Sequence, residues 1–180
     1  MSKSIKRILI PQSEISAMCQ RLGEQINRDY KGKEIILIGV LKGAFVFMAD
    51  LARHIDVPCR IDFMSVSSYG SGTRTSGVVR ITKDLDSDIS GKHIIVVEDI
   101  VDTGLTLNHL RELLSTRNPA SIALCTAFDK PDRRKVEIKV EYVGMKIPDE
   151  FIVGYGLDFD GKYRNLPDVA VLGDDTQGGS

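Results

Sequence analysis

Three acids, Glu98, Asp99 and Asp102, crowd into one short stretch, and Thr103-Gly104-Leu105-Thr106 follows at once. A helix starting here offers unpaired amides and partial positive charge, Gly104 permits close backbone approach, and the two threonines add hydroxyls. Together these suit a terminal phosphate. Acids aimed at that phosphate would repel it. They can instead accept hydrogen bonds from ribose hydroxyls or from water on a magnesium ion, so that acids and cradle take opposite ends of one sugar phosphate. An ordinary N-cap by Asp102 or Thr103 is the alternative. It accounts for one polar residue, not for three acids and two threonines around a glycine.

The elements that must hold this stretch follow from periodicity. Residues 93–97 form a short apolar run that predicts a buried strand ending at Glu98-Asp99, and Leu107, Leu110, Leu113 and Leu114 stripe a helix to about Arg117, where Asn118-Pro119 stops it. Upstream, Ser13 is a candidate cap for a helix carrying Ile15, Met18, Leu22 and Ile26. Residues 34–41 predict another buried strand, turned by Lys42-Gly43 into a helix over residues 44–54. Strands are expected at residues 60–67, 78–83 and 121–128, with a glycine-rich loop at 68–77, a polar turn at 84–91 and a frayed tail from Asp174. Strand, turn, helix and strand recur twice, which predicts an α/β fold with a mainly parallel sheet flanked by helices. After Val136 only short extended runs remain, at residues 140–143 and 151–155, suited to a smaller lobe or a sheet edge.

Composition excludes several classes. A chain of 180 residues, 42% hydrophobic and 27% charged, is the size of one domain. Its net charge of -1 gives no field that would drive it onto nucleic acid or an anionic membrane, so an anion must be held locally. Cys19, Cys59 and Cys125 lack C-x-x-C spacing and suit buried reduced thiols, while His54, His93 and His109 show no zinc spacing. No stretch reaches the roughly 18 apolar residues of a membrane span, and a soluble cytoplasmic protein is expected. Gly154-Tyr155-Gly156 has Phe159 in place of the third glycine of a dinucleotide fingerprint, and the run from Gly156 to Lys162 is followed by Tyr163 where a P-loop needs Ser or Thr.

The stretch from Val96 to Thr106 resembles the phosphoribosyl-pyrophosphate signature of type I phosphoribosyltransferases, in detail the bacterial branch of the hypoxanthine-guanine enzymes. The likeness extends to Gly39-Val40-Leu41-Lys42-Gly43-Ala44, to Ser67-Ser68-Tyr69-Gly70-Ser71-Gly72 and to the stretch from Ile147 to Asp158. It implies the type I fold, a single domain over residues 1–180 with a small hood lobe from the N-terminal segment and the residues after about 140. It also implies purine salvage, in which a purine displaces pyrophosphate from the activated ribose with Mg2+ as cofactor.

Residue roles follow by position. The resemblance makes Asp102 the general acid/base, and places Glu98 and Asp99 beside the ribose hydroxyls and the metal, with Asp158 as a further metal contact. Asp102, Thr103, Gly104, Leu105 and Thr106 become the 5'-phosphate loop. Lys42 and Gly43, in a loop that carries a non-proline cis peptide in the family, and Arg164 would hold pyrophosphate. Lys130 would meet the 6-oxo group of the base, Phe151 would stack on the ring and Ile152 would read its edge, while Ser68 and Tyr69 open the flexible loop over the site.

From sequence alone these residues have plainer readings. Gly43 is a turn residue, Lys130 starts a basic surface run with Arg133, Arg134 and Lys135, Phe151 is core, and Asp158 sits in a turn. A lysine donor at the base selects a 6-oxopurine over adenine. The partners implied are phosphoribosyl pyrophosphate and a purine, in a homodimer or homotetramer, with no nucleic acid or membrane. The rival from another class is an RNA-binding regulator that retains this fold, and the near-neutral charge and the base-recognition residues Lys130 and Phe151 count against it.

Overall fold

The computed structural model describes residues 3–68 and 79–175. Along the chain lie β1 (Lys3–Ile10), α1 (Gln12–Asp29), β2 (Ile35–Leu41), α2 (Phe45–Ala52), β3 (Cys59–Ser68) and β4 (Val79–Lys83). β5 (His93–Val101), α3 (Leu105–Ser115), β6 (Ser121–Asp129), β7 (Tyr142–Lys146), β8 (Ile152–Val153) and β9 (Val169–Asp174) follow. Tyr69, most of the glycine-rich loop and residues 176–180 of the tail lie outside the described residues.

Six strands form the main sheet in the order β4-β3-β2-β5-β6-β7. All neighbours are parallel except the edge pair β3 and β4. The central strands are apolar on both faces because helices cover both. Ile35, Leu37, Ile95 and Val97 pack with Ile15, Leu22 and Ile26 of α1 and Phe47 and Leu51 of α2. The alternate residues Ile36, Ile38, Ile94 and Val96 pack with Leu107, Leu110 and Leu114 of α3. This alternation fixes the register of β5, and with it the direction of every residue that follows Val97.

A second sheet, in the order β1-β9-β8, joins the N-terminal strand to residues beyond 150. Of the extended runs after Val136, the first belongs to the main sheet instead: β7 pairs with β6 from Cys125↔Tyr142. Two further expectations are corrected. Ser13 caps nothing, since α1 begins at Gln12 after Pro11, and the backbone N–H of Gln12 donates to Asp168 at 2.7 Å. β5 does not stop before the acids but carries Glu98 and Asp99 within the strand, paired with β6 as far as Val101↔Asp129. Of the cysteines, Cys19 and Cys125 are buried whereas Cys59 is only half-buried, and all three are free.

At the outer end of the sheet Glu141 extends the β6–β7 ladder with its side chain. One carboxylate oxygen accepts from the Leu124 amide at 2.7 Å and the other from Arg111 Nη2 at 2.7 Å. Glu141→Ala strands both donors in a half-buried place and is expected to cost about 1–3 kcal/mol of stability, with Glu141→Gln costing less. Denaturant unfolding of the two variants measures the difference.

Candidate active site

The carboxyl ends of β5 and β6 open onto two adjoining recesses. The smaller, about 180 Å³, is lined by Glu98, Ile100, Val101, Asp102, Thr103, Gly104, Thr106 and Leu107. Gly104 sits at the head of α3 with φ 81°, a left-handed conformation that favours glycine, and no side chain caps the helix. Neither Asp102 nor Thr103 is therefore its cap. Thr103 Oγ1 accepts only a long bond from the Leu105 amide, 3.3 Å, so the start of α3 presents its amides to the recess.

The larger recess, about 360 Å³, is lined by Asp99, Asp102, Lys130, Arg133, Asp149 and Phe151 together with Ile100, Glu150, Ile152, Leu157 and Asp158. Lys130 is no solvated surface residue: it is 8% exposed, and its Nζ donates to the Glu150 carbonyl at 2.6 Å. Phe151, conversely, is no core residue. It is 47% exposed, meets Phe159 edge-on at 5.7 Å and carries Lys3 Nζ 4.8 Å above its ring. Ile152 is buried beside it in β8. The segment is gripped from the small sheet as well, where Arg7 Nη2 donates to both carboxylate oxygens of Glu150, at 2.7 and 2.5 Å. Asp102 lines both recesses and stands on their shared rim.

Behind the acids the backbone closes in. A side chain at Gly43 would run into the Asp99 carboxylate, and one at Gly156 into the Gly43 carbonyl. Gly43 thus does more than turn the chain, since its bare Cα leaves the space that Asp99 fills. The non-proline cis peptide expected in this loop is the bond Leu41–Lys42, one residue before Lys42-Gly43. Lys42 is exposed and lines neither recess. Arg164 donates to the Gly156 carbonyl at 2.6 Å and pairs with Asp158 at 3.1 Å, but opens into a separate cavity of about 520 Å³ between α1, α2 and residues 164–167. Asp158 also accepts from the Gly161 amide at 2.9 Å, so it both makes its turn and faces the larger recess. Ser68 ends β3, and its side chain and Tyr69 lie outside the described residues.

Burial pushes the Glu98 carboxyl well above its ordinary value, and the neighbouring charge of Asp99 pushes it further. Burial likewise raises Asp99, against the opposing pull of its hydrogen bonds and of the Arg164 charge. Two oxygen-rich groups that are costly to ionise together are what a hard divalent cation relieves. Among the described residues no three potential ligands converge into a metal cage. Magnesium does not require one, because it takes one or two carboxylates and completes its shell with water and substrate phosphates.

Sequence reasoning left two contributors in a surface run. Arg134 Nη2 pairs with the buried Asp129 at 2.6 Å while its Nη1 donates to the Asp102 carbonyl at 3.0 Å, tying the loop before α3 to β6. Arg133 Nε donates to Asp102 Oδ1 at 2.9 Å. Their only signal in the chain is Pro131, which starts the 3-10 turn Pro131–Arg133 straight after Lys130.

A model of the phosphoribosyl transferase domain family matches residues 9–160. The hypoxanthine phosphoribosyltransferase of Salmonella typhimurium is 53% identical over 172 residues, which span 94% of this chain and 97% of the relative. The hypoxanthine-guanine phosphoribosyltransferase of Streptococcus thermophilus is 51% identical over 172 residues, 96% of each chain. Among solved structures, a hypoxanthine-guanine phosphoribosyltransferase of Bacillus anthracis superposes with a TM-score of 0.91 at 49% identity, covering 96% of this chain and 100% of the other.

The raised Glu98 carboxyl has a consequence for stability. Its folded form holds a proton more tightly than the unfolded chain, so its contribution is full below the ordinary value of 4.5 and is lost as pH rises through the raised one. Glu98→Gln is therefore expected to melt higher than the parent at neutral pH without ligands, the gap closing as pH falls towards 4.5. Thermal melts across that range check it, and a gap that widens on acidification would refute it.

Proposed function

The chain belongs to the phosphoribosyl transferase domain family and has its type I fold, and on that premise we propose that it works in purine salvage. It transfers the 5-phosphoribosyl group of phosphoribosyl pyrophosphate to hypoxanthine or guanine, giving IMP or GMP and pyrophosphate. The observation that carries this reading is the position of Asp102, on the rim shared by a recess floored with helix amides and one walled by Lys130, Phe151 and Ile152. A ribose spanning that rim puts its 5'-phosphate at Thr103, Gly104, Leu105 and Thr106 and its C1 towards a base beside Phe151. The comparisons lend no support to an RNA-binding regulator.

In this reading the purine forms its bond to C1 as the bond from C1 to pyrophosphate breaks, and Asp102 manages the proton at N7. Rigid placement of both partners supplies much of the rate. Lys130 turns its ammonium from the Glu150 carbonyl to the 6-oxo group, and adenine, whose 6-amino group cannot accept, is refused. Phe151 offers a stacking face that the fold leaves half open. Glu98 and Asp99 hold the ribose hydroxyls and, with Asp158, would hold magnesium. Bound there, magnesium would supply positive charge to the pyrophosphate, for which Lys42, Gly43 and Arg164 are the other contacts in this reading. Ser68 and Tyr69 begin the loop that shields the activated ribose from water.

The sheet of β1, β9 and β8 is the hood lobe of a single domain in this reading. We further place the protein in the cytoplasm, as a homodimer or homotetramer. Among the described residues no helix is long and apolar enough to cross a membrane, and the three cysteines are free.

Turnover with phosphoribosyl pyrophosphate, magnesium and each purine in turn tests the reading. Formation of IMP or GMP supports it, and no product from any 6-oxopurine overturns it. Asp102→Asn should lower kcat by about 10²–10⁴ with little change in phosphoribosyl-pyrophosphate binding. Lys130→Ala should chiefly raise KM for hypoxanthine and guanine, and unchanged kinetics with both would remove Lys130 from the base site.

A further inference from the structure

Asp102 is held twice, by consecutive arginines. Arg134 fixes its backbone through the carbonyl, and Arg133 fixes its carboxylate through Oδ1. Arg133 is not free to wander. Its amide donates to the Lys130 carbonyl at 3.1 Å within the 3-10 turn, and its Nη1 lies 3.6 Å from Asp149 Oδ2. Asp149 Oδ1 in turn lies 3.8 Å from Lys130 Nζ. A continuous polar chain, Asp102, Arg133, Asp149 and Lys130, therefore borders the larger recess, with a carboxylate at one end and an ammonium at the other.

Resting on the reading of Asp102 as the group that manages the proton, we propose that Arg133 is a positioning residue for that carboxylate. Its Nε holds Oδ1 and leaves Oδ2 as the oxygen presented to the base. The pair is about half exposed, 48% and 43%, and such a pair adds little to stability. Orientation is another matter. An unrestrained aspartate can rotate about χ1 and χ2, and a displacement of about 1 Å at a reacting group can cost on the order of a hundredfold in rate. Because the same turn carries Lys130, the proton acceptor and the donor to the base's oxo group are set relative to each other by one short piece of chain. The guanidinium also shields the carboxylate of Asp102 from that of Asp149 across the recess.

The test is steady-state kinetics with hypoxanthine on the parent, Arg133→Ala, Arg133→Lys, Asp102→Asn and the Arg133→Ala/Asp102→Asn double variant, with melting temperatures alongside. Arg133→Ala should lower kcat about tenfold and leave KM for phosphoribosyl pyrophosphate within about twofold. Arg133→Lys, whose ammonium still donates but without the fixed plane of the guanidinium, should recover part of the loss. In the Asp102→Asn background, removing Arg133 should change kcat by less than about twofold, because the two residues act as one unit. An equal loss in both backgrounds, a kcat unchanged or raised by Arg133→Ala, or a loss confined to KM for phosphoribosyl pyrophosphate overturns the proposal. The two readings fail separately. An active parent with a slow Asp102→Asn and a full-speed Arg133→Ala ends only the role of Arg133, whereas a parent inactive with every 6-oxopurine ends both.

Discussion

Two carboxylates side by side at the end of the central strand set the terms for everything around them. Glu98 and Asp99 sit within β5 itself, just past its last pair with β2 at Gly39↔Val97 and still beside β6, whose ladder runs on to Val101↔Asp129. Their burial and mutual repulsion make the doubly ionised state costly until an ionic or hydroxylic ligand arrives. The surroundings accommodate that cost. Gly43 gives up a side chain so that the Asp99 carboxylate has room, Gly156 does the same for the Gly43 carbonyl, and Arg164 brings a positive charge from behind. A buried acidic pair of this kind gives up stability to keep its charged groups in one place.

The two faces of the sheet contribute differently. Helices α1 and α2 bury the face under β2 and β6, and their work is packing. Helix α3 buries the other face with Leu107, Leu110 and Leu114 while its first turn, left without a side-chain cap, faces the smaller recess. One helix is thus anchored by its middle and open to a recess at its tip, a division that requires the strand before it to end at a set height. The β5–β6 register, held from His93↔Ser121 to Val101↔Asp129, supplies that height.

The parallel sheet was legible because strands buried on both faces read as unbroken apolar runs, as residues 35–41 do, and because the leucines of α3 recur at helical spacing. The acid-rich stretch was legible as chemistry for the same reason that it is costly, since no packing argument calls for it. Other features depend on contacts across long separations and leave no local trace. Buried Lys130 meets Asp149 and Glu150, some twenty residues further along the chain, and Phe151 beside them is left 47% exposed. β1 carried too little alternation to announce itself, since its partner β9 lies at the far end of the chain and its pairing contains two irregularities. The roles of Arg133 and Arg134 were hidden in plain view, because a run of basic residues looks the same whether it faces solvent or a carboxylate.

Lys3 over the Phe151 ring and Arg7 on Glu150 place the first residues of β1 against the wall of the larger recess. β1 therefore braces two residues of that wall from outside, since neither Lys3 nor Arg7 lines the recess itself. For protein engineering, β1 is a place from which to shift Phe151 and Glu150 while every residue that lines the recess stays unchanged.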